Sequence, residues 1–167
     1  MEERQAYVRK ARLGDAGAFS KLYEEYYQDL YRFALYTLKN SHDAEDAVSE
    51  AVMDAYAQIH SLRKASAFRP WIFRILVAKC KRHLKEYTAK TAPLPEELAD
   101  AQRDLCEDLD VREAFFCLSG EERMILALHL FAGYSSKEIG QELHMNPNTV
   151  RSRQSRALKK MEEILTL

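Results

Sequence analysis

Apolar residues recur at steps of three and four along most of this 167-residue chain. The clearest run lies between Phe19 and Leu38, where aromatic and aliphatic side chains fall on one side of a helix. This spacing predicts amphipathic helices, because 3.6 residues complete a helical turn. The chain has 5 Gly and 4 Pro, which argues against a turn-rich all-β fold. The sequence therefore predicts an all-α protein.

One segment without this periodicity divides the chain. Residues 88–108 contain Pro93, Pro95 and several acids, which is typical of a linker. The helical patterns on either side predict two small helical domains, residues 1–87 and residues 109–167, joined by this flexible acidic linker.

Several helices carry explicit start and end signals. Asp15 and Ser41 are predicted N-caps, because their side-chain oxygens accept hydrogen bonds from the backbone of the first turn. The sequences "SGEE" from Ser119 and "SSKE" from Ser135 match the capping box, in which the first and fourth residues bond reciprocally. Gly133 is predicted to end the helix before it in the left-handed conformation.

The end of the chain predicts a helix-turn-helix. A short helix opened by Ser135 is followed by the turn 144–146, and Pro147 stands at the first position of the next helix. Gly140 lies where the two helices must approach closely, which requires a small residue. The predicted inward stripe of the last helix is Val150, Ala157, Leu158 and Met161.

The net charge of -1 hides a strong segregation of charge. Asn146–Lys160 carries five cations and no acid, whereas Asp43–Asp54 carries five acids and no Lys or Arg. Arg63–Lys90 carries nine cations and one acid. A basic helical face that also holds Asn and Ser suits the major groove of DNA, where such side chains reach base edges and phosphates. A basic helix end that faces only solvent is the alternative.

Two blocks of the chain resemble parts of one protein family. "DAED" at Asp43–Asp46 and "FRPWIFRI" at Phe68–Ile75 lie within the block Ser41–Glu86. This block resembles region 2 of the extracytoplasmic-function (group 4) sigma factors of bacterial RNA polymerase, in the sigma-70 family. The block Leu118–Met161, with both capping boxes and the basic helix, resembles region 4. The resemblance implies a region 2 helical bundle followed by a region 4 helix-turn-helix.

The resemblance also implies partners and site residues. Region 2 would dock on the β′ clamp helices of core RNA polymerase and would recognise and open the -10 element of promoter DNA. Region 4 would read the -35 element and rest on the β flap, and an anti-sigma factor is a further implied partner. The implied polymerase-docking residues are Asp43, Glu45, Asp46 and Glu50. The implied -10 residues are Arg63, Lys64, Ser66, Arg69, Arg74, Lys81 and Arg82. The implied -35 residues are Asn148, Thr149, Arg151, Ser152, Arg153, Ser155, Arg156 and Lys159.

Four positions depart from the family pattern. Ser49 stands near a frequent Gln, and Met53 stands near a frequent aromatic residue, so the polymerase contacts that the family makes at these two positions do not carry over to this chain from the resemblance alone. Gln154 replaces a usually apolar residue of the recognition helix, and His144 stands where Gly is common in the turn.

Other classes of function find little support. No apolar run approaches the roughly 18 residues of a membrane span, and the charged N-terminus is unlike a signal peptide. Three widely spaced cysteines fit reduced thiols in a cytoplasm. Cys80 and His83 lie one helical turn apart without a second pair of ligands, so no metal site is expected. We likewise expect no catalytic residues, no cofactor and no small-molecule substrate.

Two alternatives remain at the level of sequence. A stand-alone helix-turn-helix regulator would bind duplex DNA as a dimer, but it needs no acidic docking helix. An adaptor that binds polymerase or an anti-sigma factor needs no basic recognition face. The combination of both features favours a transcription initiation factor that is not itself an enzyme.

Overall fold

The computed structural model of the protein describes residues 1–89 and 109–166. Within these ranges the chain forms eight α-helices and no strand, which confirms the predicted all-α fold. The helices are α1 (Glu2–Arg12), α2 (Ala16–Leu38), α3 (Ser41–Gln58), α4 (Phe68–Ala89), α5 (Leu109–Phe116), α6 (Gly120–Leu130), α7 (Ser136–Leu143) and α8 (Pro147–Leu165). The predicted linker lies outside the described residues from position 90 onward.

The core of the first domain lies between α2, α3 and α4. The side of α3 that faces this core carries small side chains, since Ala44, Ala47 and Ala51 are fully buried there. These small side chains let the neighbouring helices approach closely. Phe33 of α2 meets Phe73 of α4 edge to face, with ring centroids 6.1 Å apart. Full burial of one such side chain stabilises a fold by about 1.5–3 kcal/mol, so these large residues hold α2 and α4 together.

One predicted helix cap is correct and another is displaced by one residue. The Asp15 carboxylate accepts from the Ala18 N–H at 3.1 Å, as predicted. The prediction of Ser41 as the N-cap of α3 is wrong, because Asn40 takes that place and its Oδ1 accepts from the Asp43 N–H at 3.0 Å. Lys39 adopts the left-handed conformation that ends α2 (φ 60°), so the chain is already extended at Asn40 and the helix starts one residue early.

The N-terminal caps of α6 and α7 in the second domain are those predicted from the sequence. Ser119 and Glu122 form a reciprocal capping box at 3.2 and 3.0 Å, and Ser135 and Glu138 form another at 3.2 and 2.7 Å. Gly133 has φ +73° after α6, which confirms the left-handed residue expected there. These local signals set the directions of α6 and α7.

The inward stripe of α8 is narrower than predicted. Val150, Ala157 and Met161 are buried, but Leu158 is 46% exposed, so its assignment to the stripe is wrong. Leu158 follows Ala157 directly and is therefore turned by about 100° around the helix axis, away from the core side that Ala157 occupies.

The two domains are in direct contact. Tyr36 near the end of α2 is only 3% exposed, because three phenylalanines of the second domain surround it. Its ring centroid lies 4.8 Å from that of Phe115, 5.9 Å from Phe116 and 5.0 Å from Phe131.

No described helix combines the length and apolarity needed to cross a membrane.

Candidate nucleic-acid and polymerase interface

The turn between α7 and α8 is tight. His144 ends α7 in the left-handed conformation (φ 56°, ψ 47°), and the Met145 N–H donates to the Gly140 carbonyl at 2.8 Å. A Cβ atom placed on Gly140 would lie 2.5 Å from the Met145 carbonyl oxygen. The close approach predicted at Gly140 is therefore present, and the obstacle is backbone rather than a movable side chain.

The start of α8 is capped from within the turn. The Asn146 side chain accepts from the Asn148 N–H at 2.8 Å, and Pro147 occupies the first helical position. Pro lacks a backbone N–H, but no hydrogen bond is lost at this position, because the N–H groups of the first helical turn have no intrahelical acceptor. The turn and the cap together fix the direction in which α8 leaves the domain.

One face of α8 presents polar and basic side chains to solvent. Along it the Asn148 Oδ1 accepts from Arg151 at 2.6 Å, and the Arg156 Nε donates to the Ser152 carbonyl at 3.3 Å. These bonds orient both guanidinium groups, which lowers the entropy lost when they bind a partner. The exposed members of this face are Asn148, Arg151, Ser152, Ser155, Arg156 and Lys159, while Thr149 is half-buried beside it.

Arg153 and Lys160 lie on the flank of α8 that faces α6. Arg153 forms an ion pair with Glu121, and Lys160 Nζ lies 2.6 Å from the Glu122 Oε1. The hydrogen bond from Lys160, with those from Ser119, holds the pKa of Glu122 below its usual range. The structure thus separates Arg153 from the other -35 candidates, and its predicted DNA contact stays a prediction.

The acidic docking candidates lie on α3. Glu45 and Asp46 are exposed, whereas Asp43 and Glu50 are half-buried. Asp46 has His42 beside it at 3.9 Å. Glu50 pairs with Arg82 of α4, and its Oε1 lies 3.7 Å from the His83 Nε2. The four acids share one helix, and Glu50 is the one that pairs with side chains of α4.

Two apolar side chains on α3 are exposed: Met53, already singled out in the sequence as a departure at a polymerase-contact position, and Tyr56, which was not singled out. Met53 is 71% and Tyr56 47% exposed, and they continue the side of α3 on which Asp46 and Ser49 stand. The sequence signal for their exposure is their position on α3, which lies outside the stripe of buried alanines that includes Ala55. Exposed large apolar residues beside charged ones are typical of a surface that binds another protein.

The -10 candidates fall into two groups. Arg63, Lys64 and Ser66 are exposed in the segment between α3 and α4, where the Arg63 carbonyl accepts from Arg12 of α1 at 3.5 Å. The other candidates lie on α4, where Arg74 and Arg82 are exposed and Arg69 and Lys81 are half-buried. The structure therefore places three of the seven candidates in this segment and four on α4.

Two of the α4 cations bond to the second domain. Arg69 donates to the backbone carbonyls of Phe131 and Ala132 at 2.7 and 3.0 Å. Lys81 donates to the Glu142 carbonyl at 2.9 Å. In this arrangement Arg69 and Lys81 each give part of their hydrogen bonds to the second domain, while their side chains stay 37% and 39% exposed.

Of the pair considered for a metal site, Cys80 packs in the core and His83 lies beside Glu50 of α3. Cys80 is fully buried, and that burial raises the pKa of its thiol well above the usual range. Among the described residues, no group of three His, Cys, Asp or Glu side chains is placed to hold a metal ion.

Comparison with known proteins agrees with this layout. The family description "Sigma-70 region 2" matches residues 22–89, and "Sigma-70, region 4" matches residues 108–161. The chain is 31% identical over 155 residues to the ECF RNA polymerase sigma factor SigM of Mycobacterium tuberculosis, covering 91% of this chain and 79% of that protein. It is 32% identical over 142 residues to the RNA polymerase sigma factor SigV of Bacillus subtilis, covering 83% of this chain and 86% of that one.

Solved structures share the fold. The sigma factor RpoE of Bartonella quintana, solved with the anti-sigma factor NepR, matches with a TM-score of 0.72 at 22% identity, over 89% of this chain and 97% of that one. CnrH, solved with the cytosolic domain of CnrY, matches with a TM-score of 0.66 at 19% identity, over 98% and 97% of the two chains. The helix-turn-helix, the two matched regions and the relatives agree, and the chain belongs to the extracytoplasmic-function sigma factors, which direct RNA polymerase to initiate transcription at specific promoters.

Proposed function

We propose that the two halves of this sigma factor divide the promoter between them. Residues 1–87 dock on core polymerase and act on the -10 element, residues 109–167 read the -35 element, and residues 88–108 connect them. The observation that carries the proposal is the exposed polar and basic face of α8, held at a fixed angle by the turn at Gly140. Such a face on the second helix of a helix-turn-helix fits the major groove.

The proposed docking surface for polymerase is the exposed side of α3. Glu45 and Asp46 supply negative charge there, and Met53 and Tyr56 supply apolar area. Charged groups at the edge of an interface guide the encounter, while buried apolar side chains supply much of the affinity. A basic partner helix with apolar side chains would match this pattern, as the β′ clamp helices of the resemblance imply.

The proposed contact with the opened -10 strand uses the exposed loop Arg63, Lys64 and Ser66 together with α4. Cations that follow a sugar-phosphate backbone are the usual means of binding single-stranded DNA. The factor itself performs no catalysis in this scheme, since polymerase makes the transcript. We also propose a cytoplasmic location and an anti-sigma partner for this chain. The partner is suggested by RpoE, which was solved with the anti-sigma factor NepR.

A matched pair of arginines tests the assignment of α8. Arg151→Ala removes an exposed guanidinium from the proposed DNA face, and Arg153→Ala removes one that pairs with Glu121. We expect the Arg151 variant holoenzyme to lose about 1–3 kcal/mol of binding to a selected promoter, since that is the usual contribution of a base-reading arginine. The Arg153 variant should lose less affinity than the Arg151 variant, because its guanidinium is shared with Glu121.

The measurement is a holoenzyme titration on promoters with an intact or a scrambled -35 element. The Arg151 defect should appear with the intact element and vanish with the scrambled one. A defect of equal size on both promoters, or a larger defect in the Arg153 variant, would contradict the proposed reading face.

A further inference from the structure

The last turn of α1 packs beside the loop that carries the -10 candidates Arg63 and Lys64. The Arg12 Nη1 donates to the Arg63 carbonyl oxygen at 3.5 Å. α1 also contacts the two short 3-10 turns that flank this pair of residues, Ile59–Ser61 and Ala65–Ala67. The end of α1 and the loop therefore form one surface, although the family description of region 2 matches the chain only from residue 22 onward.

Both parts of this surface lack acidic side chains. Residues 5–14 carry three Lys or Arg and residues 59–70 carry another three, and neither segment contains Asp or Glu. In α1 the side chains of Arg9 and Lys10 are exposed, and that of Arg12 is half-buried. Cations that no acid of their own segment neutralises attract a polyanion such as a nucleic acid strand.

Charge at the end of a helix does not by itself mark a binding site, because cations are favoured at any helix C-terminus. Direction separates the three cations of α1. Each residue turns the helix by about 100°, so Arg9 lies about 60° around the axis from Arg12, and Lys10 lies about 160° from it. The bond to the loop carbonyl places Arg12 on the loop side of α1. Arg9 therefore shares the side that meets the loop, whereas Lys10 lies on the other side.

We propose that Arg9 and Arg12 extend the site for the opened -10 strand onto α1, where they bind its sugar-phosphate backbone next to Arg63 and Lys64. The inference rests on the proposed role of that loop. Contacts to the backbone carry no sequence information, but they position a strand for the residues that read its bases. Arg12 has two tasks in this arrangement, since it also holds the loop through the Arg63 carbonyl.

The test is the binding of a fluorescent single-stranded oligonucleotide to holoenzyme, followed by anisotropy, with core polymerase alone as the background. The oligonucleotide carries the downstream block of a promoter selected with the wild-type holoenzyme. Arg9→Ala removes a cation on the loop side, and Lys10→Ala makes the same charge change on the other side of α1. Ala is favourable at exposed positions within a helix, so both variants should fold. Arg12 is not substituted, because its loss also releases the loop.

We expect Arg9→Ala to bind the oligonucleotide at least about threefold more weakly than the wild type at low salt, and Lys10→Ala to bind it as the wild type does. One lost contact to a single-strand phosphate changes the slope of log affinity against log salt concentration by about 0.7. The Arg9→Ala defect should therefore shrink by about 2.6-fold when the salt concentration rises fourfold. Arg9→Lys keeps the charge and should restore most of the affinity.

Lys64→Ala makes failure of this inference distinguishable from failure of the proposed function. Weaker binding by Lys64→Ala, with equal binding by the wild type, Arg9→Ala and Lys10→Ala, would overturn the α1 site and leave the -10 role of the loop standing. Equal losses in Arg9→Ala and Lys10→Ala would mean that only the total charge matters, which would also overturn it. Unchanged binding by all of the variants, Lys64→Ala included, would contradict the proposed -10 function as well.

Discussion

The double variant Asp43→Lys/Asp46→Lys is expected to bind core RNA polymerase at least tenfold more weakly than the wild type. Both acids lie in the first part of α3, on the surface proposed to meet the β′ clamp helices. Like charges brought together at an interface cost several kcal/mol, and a tenfold loss needs only about 1.4 kcal/mol. A fluorescence competition titration with core polymerase measures this loss.

The matched control is Glu2→Lys/Glu3→Lys. These acids lie in the first turn of α1, as Asp43 does in α3, so the control reproduces the change in net charge and the unfavourable effect of a cation at a helix N-terminus. We expect normal polymerase binding from the control and unchanged helicity in both variants. Equal losses in the two variants, or no loss in either, would remove α3 as the docking surface.

Gly140→Val is expected to unfold the helix-turn-helix or to displace its second helix. The first added carbon would lie 2.5 Å from the Met145 carbonyl oxygen and 3.5 Å from the Pro147 nitrogen. The Met145 oxygen is the obstacle, and it is a backbone atom, which cannot rotate away as a side chain can. Overfilling of a packed site usually costs about 1–3 kcal/mol and occasionally more, and we expect a loss of about 3 kcal/mol here.

Gly120→Val provides the comparison for this variant. The added carbon at Gly120 would meet only the Arg123 side chain, at 3.8 Å, which is ordinary contact. Thermal unfolding should therefore show a large drop in Tm for Gly140→Val and a small change for Gly120→Val. The Gly140 holoenzyme should also lose its preference for an intact -35 element. Retention of both stability and preference would mean that the turn tolerates a wider spacing than the structure shows.

The parts of the fold that depend on neighbouring residues were predictable from the sequence. Both capping boxes and the left-handed Gly133 need residues within one or two turns of each other, and their patterns are specific. The error at Ser41 has a local cause, since Asn40 and Ser41 are both good caps and the choice is made by the left-handed Lys39 before them. A non-glycine residue in that conformation has no clear sequence signal.

The contact between the domains was not predictable in the same way. Arg69, Lys81 and Arg123 all bond to backbone carbonyls, which every residue type possesses, and the one ion pair among these contacts, Lys81 with Glu142, joins residue types that are common on any surface. The sequence indicated that α4 is basic, but it did not indicate that part of this charge is neutralised within the chain. The candidate residues of the -10 and -35 surfaces could be chosen from the sequence. Whether their side chains are exposed to bind DNA depends on the tertiary structure.

The most direct test of the division of the promoter is run-off transcription from a library of randomised promoters, with core polymerase alone and with core polymerase plus this protein. We expect specific transcripts only when the protein is present, and the templates recovered should share two sequence blocks at a fixed spacing. The Arg151→Ala holoenzyme should relax only the upstream block. Transcripts that do not depend on the protein, or a single enriched block that the free protein binds tightly as a dimer, would contradict the account.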